Sequence, residues 1–381
     1  MRVLQVIPTL SAEGAQRMMA NLCRELRRSG HEVGVISLFD PSAQSLQADL
    51  VTQGVEVHSL GKRMGPDLRM FRRVAAEVIR FAPEVIHSHL YVLKYLLPGA
   101  LIRRRRCPVV HTIHSLAEHE GGTLADLLVQ RAAFRLGVTA VSIGEAVSRS
   151  FRRLYGAPPG RTIPNGIPVD DYAPPRGARE VVRALLGIGE APVFVTVGRL
   201  VPEKNQAAAL EAVASRRLRS LSAHLLVAGD GPLREALAGR ARELGVADRV
   251  HLLGSRRDVA RVLAAADVFV LPSTYEGHPL SVLEAMAAGK PVVATAVGCV
   301  PETVSGATGR LVVPGAAGAL ESAMYELAAS PALARALGAE GRRVAGRRFD
   351  SGAMARAYEQ LYRELLSAGA ARASPAVQGA P

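Results

Sequence analysis

Tryptophan is absent from this chain of 381 residues, aromatic residues make up only 4% of it, and there are three cysteines, Cys23, Cys107 and Cys299. The cysteines lie far apart and form no Cys-x-x-Cys pair, which argues against a disulfide framework and a structural zinc site and fits a reducing cytoplasm. No run approaches the roughly 18 uncharged apolar residues that a membrane span needs, because Pro98 and the cluster Arg103 to Arg106 end the nearest candidate. Met1 leads almost directly into the strand-like Val3-Leu-Gln-Val-Ile7, so no basic segment followed by an apolar stretch and a cleavage site is read there. The loop after that strand lacks Gly-x-Gly-x-x-Gly and with it the close approach to a pyrophosphate that a dinucleotide-dependent oxidoreductase requires.

Of the residues present, 49% are apolar, enough for a sizeable core, and the length favours two domains of ordinary size. Lys and Arg number 47 against 34 Asp and Glu, a formal charge of +13. The excess is spread over the chain, with 22 cations against 15 acids in residues 1–172 and 25 against 19 in the remainder. Such a balance admits an anionic lipid or a polyanionic substrate, and arginine-rich composition alone also produces it; no dedicated basic module is present and no nucleic-acid partner is expected.

Short Val, Ile and Leu runs at 2–7, 33–38, 84–88, 109–113 and 138–141 alternate with amphipathic helical patterns, the signature of a parallel α/β sheet. A second series, at 192–197, 223–228, 249–253, 267–271, 291–295 and 309–313, repeats the architecture. Between them, residues 163–177 hold four prolines and two glycines and read as a linker, with the boundary near 172. The expected organisation is therefore a domain over 1–172, a second over 173–368 whose last helix, about 350–368, is a candidate to pack back on the first, and a disordered tail at 369–381.

Ligands of open parallel sheets bind beyond the carboxyl ends of the strands, and the informative motifs fall on such loops. Strand 192–197 ends in Gly198-Arg199, and a helix pattern starts around Lys204. Helix amides, a guanidinium able to grip two oxygens and a compact ammonium suit a phosphate group there. Glu276 follows strand 267–271, and Glu284 sits eight residues later in a helix that Pro279 opens. Two carboxylates suit sugar hydroxyls. Val282, Leu283, Ala285 and Met286 surround Glu284, so a carboxylate at that position needs a partner. Gly277 and the amides of His278, Leu280 and Ser281 at the helix start are further candidates for donor contacts. A plain solvated pair for Arg199 and Lys204, and solvated helix charges for the glutamates, are the structural alternatives.

The chain resembles the family-4 retaining glycosyltransferases, which have the GT-B fold of two facing Rossmann-like domains. The resemblance spans nearly its whole length. It rests on Pro-Glu-Val-Ile-His87-Ser-His89, His111-Thr-Ile-His114, Ile-Pro-Asn165-Gly166-Ile, Val-Gly198-Arg199-Leu-x3-Lys204, Ala228-Gly229-Asp230-Gly231-Pro232, the Glu276 to Glu284 motif and Gly298-x2-Pro301-Glu302, in the family's order. It implies a nucleotide-diphosphate sugar as donor and a glycan or lipid-linked acceptor, retention of configuration, and no metal or other cofactor. Arg199 and Lys204 would hold the diphosphate, Glu284 the ribose, Glu276 the hexose, and His114, with His111 as its rival, would lie next to the sugar. Glu13 and Gly14 would face the acceptor, with Gly14 also near the donor phosphate. The chain keeps only Gly14 of the family's two adjacent glycines there, Glu13 replacing the first. Asn205 stands where glycine is common and His278 where an aromatic is common. Arg256, after strand 249–253, is the candidate for base contacts.

In the pattern 66–81, Arg69, Arg72, Arg73 and Arg80 share one face, opposite Phe71, Val74 and Val78. That stripe would suit the anionic inner face of a membrane, and equally a solvated face over a buried one. A sugar-nucleotide epimerase or a phosphorylase on the same fold, and a non-catalytic sugar-nucleotide-binding protein, are the competing functions.

Overall fold

Apolar runs buried on both faces pair in parallel, because a helix must cover each face of such a sheet. The computed structural model describes residues 1–42, 45–96, 107–120, 124–316 and 318–373, and they form two units, one from the described residues of Met1–Gly166 together with the helix Ser351–Ala373, the other from those of Ile167–Asp350. The chain thus enters the second unit six residues before the expected boundary and leaves it at Asp350. Arg103 to Arg106, and the part of the tail beyond Ala373, lie outside the described residues.

The first unit contains β1 (Arg2–Ile7), β2 (Glu32–Ser37), β3 (Glu56–Ser59), β4 (Val85–His89), β5 (Val109–Ile113), β6 (Thr139–Ser142) and β7 (Arg161–Thr162). They form one parallel sheet in the order β3-β2-β1-β4-β5-β6-β7. Two of these strands went unread in the sequence, for a physical reason. The edge strand β3 has only Val57 as an apolar residue, and β7 is two residues long, so neither carries a periodic signal.

The C-terminal helix Ser351–Ala373 belongs to this unit and packs along the helix Gly14–Arg28. A buried polar network pins it. Tyr362 Oη lies 2.7 Å from His87 Nδ1, Tyr358 Oη lies 2.8 Å from Thr112 Oγ1, and Thr112 Oγ1 is 2.7 Å from His87 Nε2. On the surface helix Arg69–Phe81, three of the four arginines of the cationic stripe are engaged within the unit. Arg69 binds Asp67 at 2.8 Å, Arg80 bonds Glu77 at 2.8 Å and also pairs with Glu56, and Arg73 donates to the Leu60 carbonyl. Among the described residues no helix is long and apolar enough to cross a membrane.

The second unit contains β8 (Val193–Val197), β9 (His224–Ala228), β10 (Val250–Gly254), β11 (Val268–Leu271), β12 (Val292–Thr295) and β13 (Gly309–Val312), parallel in the order β10-β9-β8-β11-β12-β13. Phe194, Leu225, Val227, Val268, Val270 and Val293 form its core with Leu210, Val213 and Met324 from the covering helices. In each unit the winding direction reverses once, between β1 and β4 in the first and between β8 and β11 in the second. The carboxyl ends of those strand pairs are where this topology opens a crevice for a ligand.

Candidate functional site

At the reversal in the second unit, backbone contacts fix the loop that carries Arg199. A side chain on Gly229 would place its Cβ 1.8 Å from the Gly198 carbonyl oxygen, and one on Gly231 would reach within 2.6 Å of the Leu200 carbonyl oxygen. Two strand-end loops therefore pack backbone on backbone, with Gly198 N donating to Ala228 O (3.0 Å) and Leu200 N to Asp230 O (2.9 Å). Gln206 Nε2 holds the Arg199 carbonyl at 2.7 Å. The Arg199 side chain is 54% exposed and its Nη2 lies 3.6 Å from Glu203 Oε1, a solvated pair of little energetic weight.

Lys204 closes a short 3₁₀ turn, Pro202–Lys204, and the helix Gln206–Val213 starts after Asn205. Asn205 is left-handed at φ 46° and ψ 41°, a conformation that asparagine tolerates. Asparagine thus keeps a left-handed turn here without a glycine. Asn205 Nδ2 donates to Pro272 O (3.3 Å) and Thr274 N to Glu203 O (2.9 Å), tying this turn to the loop after β11. Lys204 Nζ is thereby brought to 2.7 and 2.8 Å from the two carboxylate oxygens of Glu276, and Ser273 Oγ donates to Oε1 at 2.7 Å. Only 5% of Glu276 is exposed.

Pro279 precedes the helix Leu280–Ala287, and Glu284 lies within it, 1% exposed among fully buried Val282, Leu283, Ala285 and Met286. Tyr172 supplies a partner for this carboxylate, its hydroxyl donating to Oε1 at 2.9 Å. Leu280 and Ser281 form the first turn of the helix, and the Gly277 carbonyl accepts the Cys299 amide at 2.9 Å. His278 is buried, with Nε2 3.0 Å from Thr303 Oγ1. That hydroxyl gives its own proton to Cys299 O (3.0 Å), so Nε2 is the donor. Burial, aided by Arg348, lowers the His278 pKa to about 4 and leaves the ring neutral. Its imidazole fastens the 299–303 turn inside the unit. Arg256 stands apart from this group, beyond the edge strand β10, in a two-pronged pair with Asp258 at 2.8 and 2.7 Å.

At the reversal in the first unit, Glu13 precedes the helix Gly14–Arg28, and a Cβ added at Gly14 would meet nothing within 4 Å. His114 follows β5, partly buried, with Nε2 2.9 Å from His89 Nδ1, while His89 Nε2 lies 2.8 Å from Gln5 Oε1. Since Gln5 Oε1 can only accept, His89 carries its proton on Nε2 and takes that of His114 on Nδ1; the lone pair of His114 Nδ1 is then left to accept from a hydroxyl. Burial lowers the His114 pKa to about 3. His111 is wholly buried and bonded to Ser88 Oγ at 2.9 Å, so its ring is committed within the sheet.

Sequence reasoning missed the groups that orient these side chains. Ser273 and Tyr172 orient the two glutamates, Gln5 and His89 set the His114 tautomer, and Glu120 Oε2 accepts the amides of His114 (2.7 Å) and Ser115 (3.1 Å). A periodic pattern does not mark any of them, because each acts across a fold contact. Burial raises the Glu120 pKa to about 8. Its folded pKa thus exceeds the unfolded one, so its contribution to stability is full below about pH 4.5 and is lost as pH rises through 8. Glu120→Gln should therefore gain stability relative to wild type from pH 5 to 8 and keep a constant difference above that. Urea unfolding across pH measures this, and a pH-independent difference would contradict it.

Residues 191–330 match the family described as Glycosyl transferases group 1, and residues 12–171 match Glycosyltransferase Family 4. The chain is 35% identical over 255 residues to a GDP-mannose-dependent alpha-(1-6)-phosphatidylinositol monomannoside mannosyltransferase of Mycolicibacterium smegmatis, covering 62% of this chain and 66% of the relative. It is 33% identical over 319 residues to a D-inositol 3-phosphate glycosyltransferase of Segniliparus rotundus, covering 77% and 69%. The matched stretches thus span about two thirds of these curated relatives. Among solved structures, Anabaena HepE in complex with UDP superposes with a TM-score of 0.81 at 24% identity, covering 97% of this chain and all of that one. Sucrose-phosphate synthase from Thermosynechococcus elongatus gives 0.79 at 25% identity, with the same coverage.

Proposed function

Because the chain belongs to the group 1, family 4 glycosyltransferases and has the GT-B fold, we propose that it moves a sugar from a nucleotide-diphosphate sugar to a hydroxyl of a glycan or lipid-linked acceptor, with retention of configuration and without a metal ion. The observation that carries this reading is Lys204 seated on the buried Glu276 beside the Arg199 loop, at the reversal point of the second sheet. One cation-bearing loop and one acid-bearing loop, held together by hydrogen bonds, suit the diphosphate and the hexose of a single donor. Two of the three N–H bonds of Lys204 serve Glu276, and the third remains for a phosphate oxygen.

In this reading Arg199 and Lys204 take up the charge that develops on the leaving diphosphate, the role a divalent cation has in other transferases. Glu284 receives ribose hydroxyls, and Glu276 a hexose hydroxyl. His114, with Nδ1 as acceptor, receives a hydroxyl near the reacting carbon, and no protein nucleophile is invoked. Arg256 is proposed only as a base contact from the sheet edge, and it must leave Asp258 to act. The mannosyltransferase relative makes GDP-mannose a sensible first donor, and its phosphatidylinositol mannoside acceptor supports a lipid-linked acceptor here. An epimerase or phosphorylase is not favoured, since both relatives named above are transferases by name.

Thermal stabilisation by UDP, GDP, ADP and CMP in the presence of EDTA tests the donor site. Stabilisation by one diphosphate nucleotide supports it. Failure of all four, or dependence on an added divalent ion, overturns the metal-free clamp. Retention is then tested by the anomeric configuration of the product by NMR. Gly14→Ala tests the first-unit loop. With open space around the new Cβ, stability should stay within about 1 kcal/mol of wild type. Turnover should fall if substrate approaches that backbone, and unchanged turnover would remove Gly14 from the site.

A further inference from the structure

We infer that Tyr172 is a positioning residue for nucleotide binding, its hydroxyl aiming the Glu284 carboxylate at the ribose; this rests on the donor-site reading above. Tyr172 ends the short 3₁₀ segment Val169–Tyr172, which packs against the helix Leu280–Ala287. Its hydroxyl donates to Glu284 Oε1 at 2.9 Å, across 112 positions of sequence. On its own helix Glu284 has only apolar, fully buried neighbours in sequence, Val282, Leu283, Ala285 and Met286. A fixed donor on one oxygen restrains rotation about the last bond of such a carboxylate. A tyrosine hydroxyl on a rigid ring does so without bringing a second charge, and the remaining acceptor sites of the carboxylate keep one direction. Lysine or arginine at position 172 would hold the acid equally well, but would neutralise the charge that strengthens its bond to a ribose hydroxyl.

Tyr172→Phe keeps the ring and its packing and removes only the donor. Calorimetric titration with UDP, GDP, ADP and CMP, each beside its dideoxyribose analogue, separates the possibilities. Wild type should bind one of the four nucleotides and lose affinity for its dideoxy form. The variant should bind that ribonucleotide about tenfold more weakly, the loss expected for one hydrogen bond to a charged group. Its affinity for the dideoxy form should match wild type, and kcat at saturating donor should be unchanged while KM rises. If the variant discriminates ribose from dideoxyribose as strongly as wild type does, Tyr172 is only packing and the inference fails. If wild type binds none of the four, the donor-site reading itself fails, and the role of Tyr172 with it.

Discussion

Lys204→Ala is expected to lower kcat by a factor on the order of 10²–10³, the usual loss when one preorganised charge opposite a developing anion is deleted. It should also abolish stabilisation by the nucleotide. A second effect separates this variant from an ordinary binding mutant. Glu276 is 5% exposed, and Lys204 is its ion-pair partner at 2.7 and 2.8 Å. Without the ammonium, a buried carboxylate keeps the Ser273 hydroxyl but no compensating charge. Breaking a buried pair from one side costs about 3–5 kcal/mol, and the partial exposure of the lysine, 24%, places the expected loss at or below the lower end of that range. Lys204→Met combined with Glu276→Gln should recover most of the stability and none of the activity, because the neutral pair fits the buried site but cannot neutralise a diphosphate. Chemical denaturation with donor-turnover assays on the single and double variants measures both. If the double variant is less stable than Lys204→Ala, the stability argument is wrong; if Lys204→Ala turns over normally, the catalytic one is.

Gly298→Ala is the other change expected to have a large effect. Gly298 sits at φ 53°, and a Cβ there would lie 1.9 Å from the Glu276 carbonyl oxygen and 3.1 Å from that of Gly277. Both atoms are backbone, so no side-chain rotation relieves the overlap, and the left-handed conformation adds strain. Either the loop that presents Glu276 moves or the 299–303 turn does. A loss above about 3 kcal/mol is expected, in the class of backbone defects that dominate the tail of mutational effects. Soluble protein that remains should no longer be stabilised by nucleotide, because Glu276, Lys204 and Ser273 depend on that loop. Gly14→Ala, made in parallel, is the control: the same substitution in open space. Equal stability of the two variants would show that the close approach at Gly298 relaxes at small cost.

The strands of both sheets were largely legible because each central strand is an uninterrupted apolar run. β3 and β7 were not, being a polar edge and a two-residue bridge. The cations and acids of the site were legible as local motifs, since Arg199 and Lys204 share one loop and Glu276 and Glu284 another. Their pairing was not. Spacing along a chain does not say which loop end meets which, and the contact between Lys204 and Glu276 exists because β11 pairs with β8 and not with its sequence neighbour β10. The His278 reading concerned its backbone amide; what the sequence did not show is the bond of its side chain to Thr303, made across 25 positions of chain.

By itself, then, the sequence determined the parallel α/β class, its repetition in two units and the identity of the charged groups, because periodicity and strand-end motifs are set by near neighbours and by the need to bury apolar faces. The tertiary structure decided the rest. The return of the C-terminal helix to the first unit depends on Tyr358 and Tyr362 meeting Thr112 and His87. Tyr172 meets Glu284, and Glu120 meets the backbone after His114, only once the chain has folded. These are contacts between residues far apart or on different elements, made by single polar atoms. Their energy depends on direction over a few tenths of an ångström, which no pattern of residue types can record.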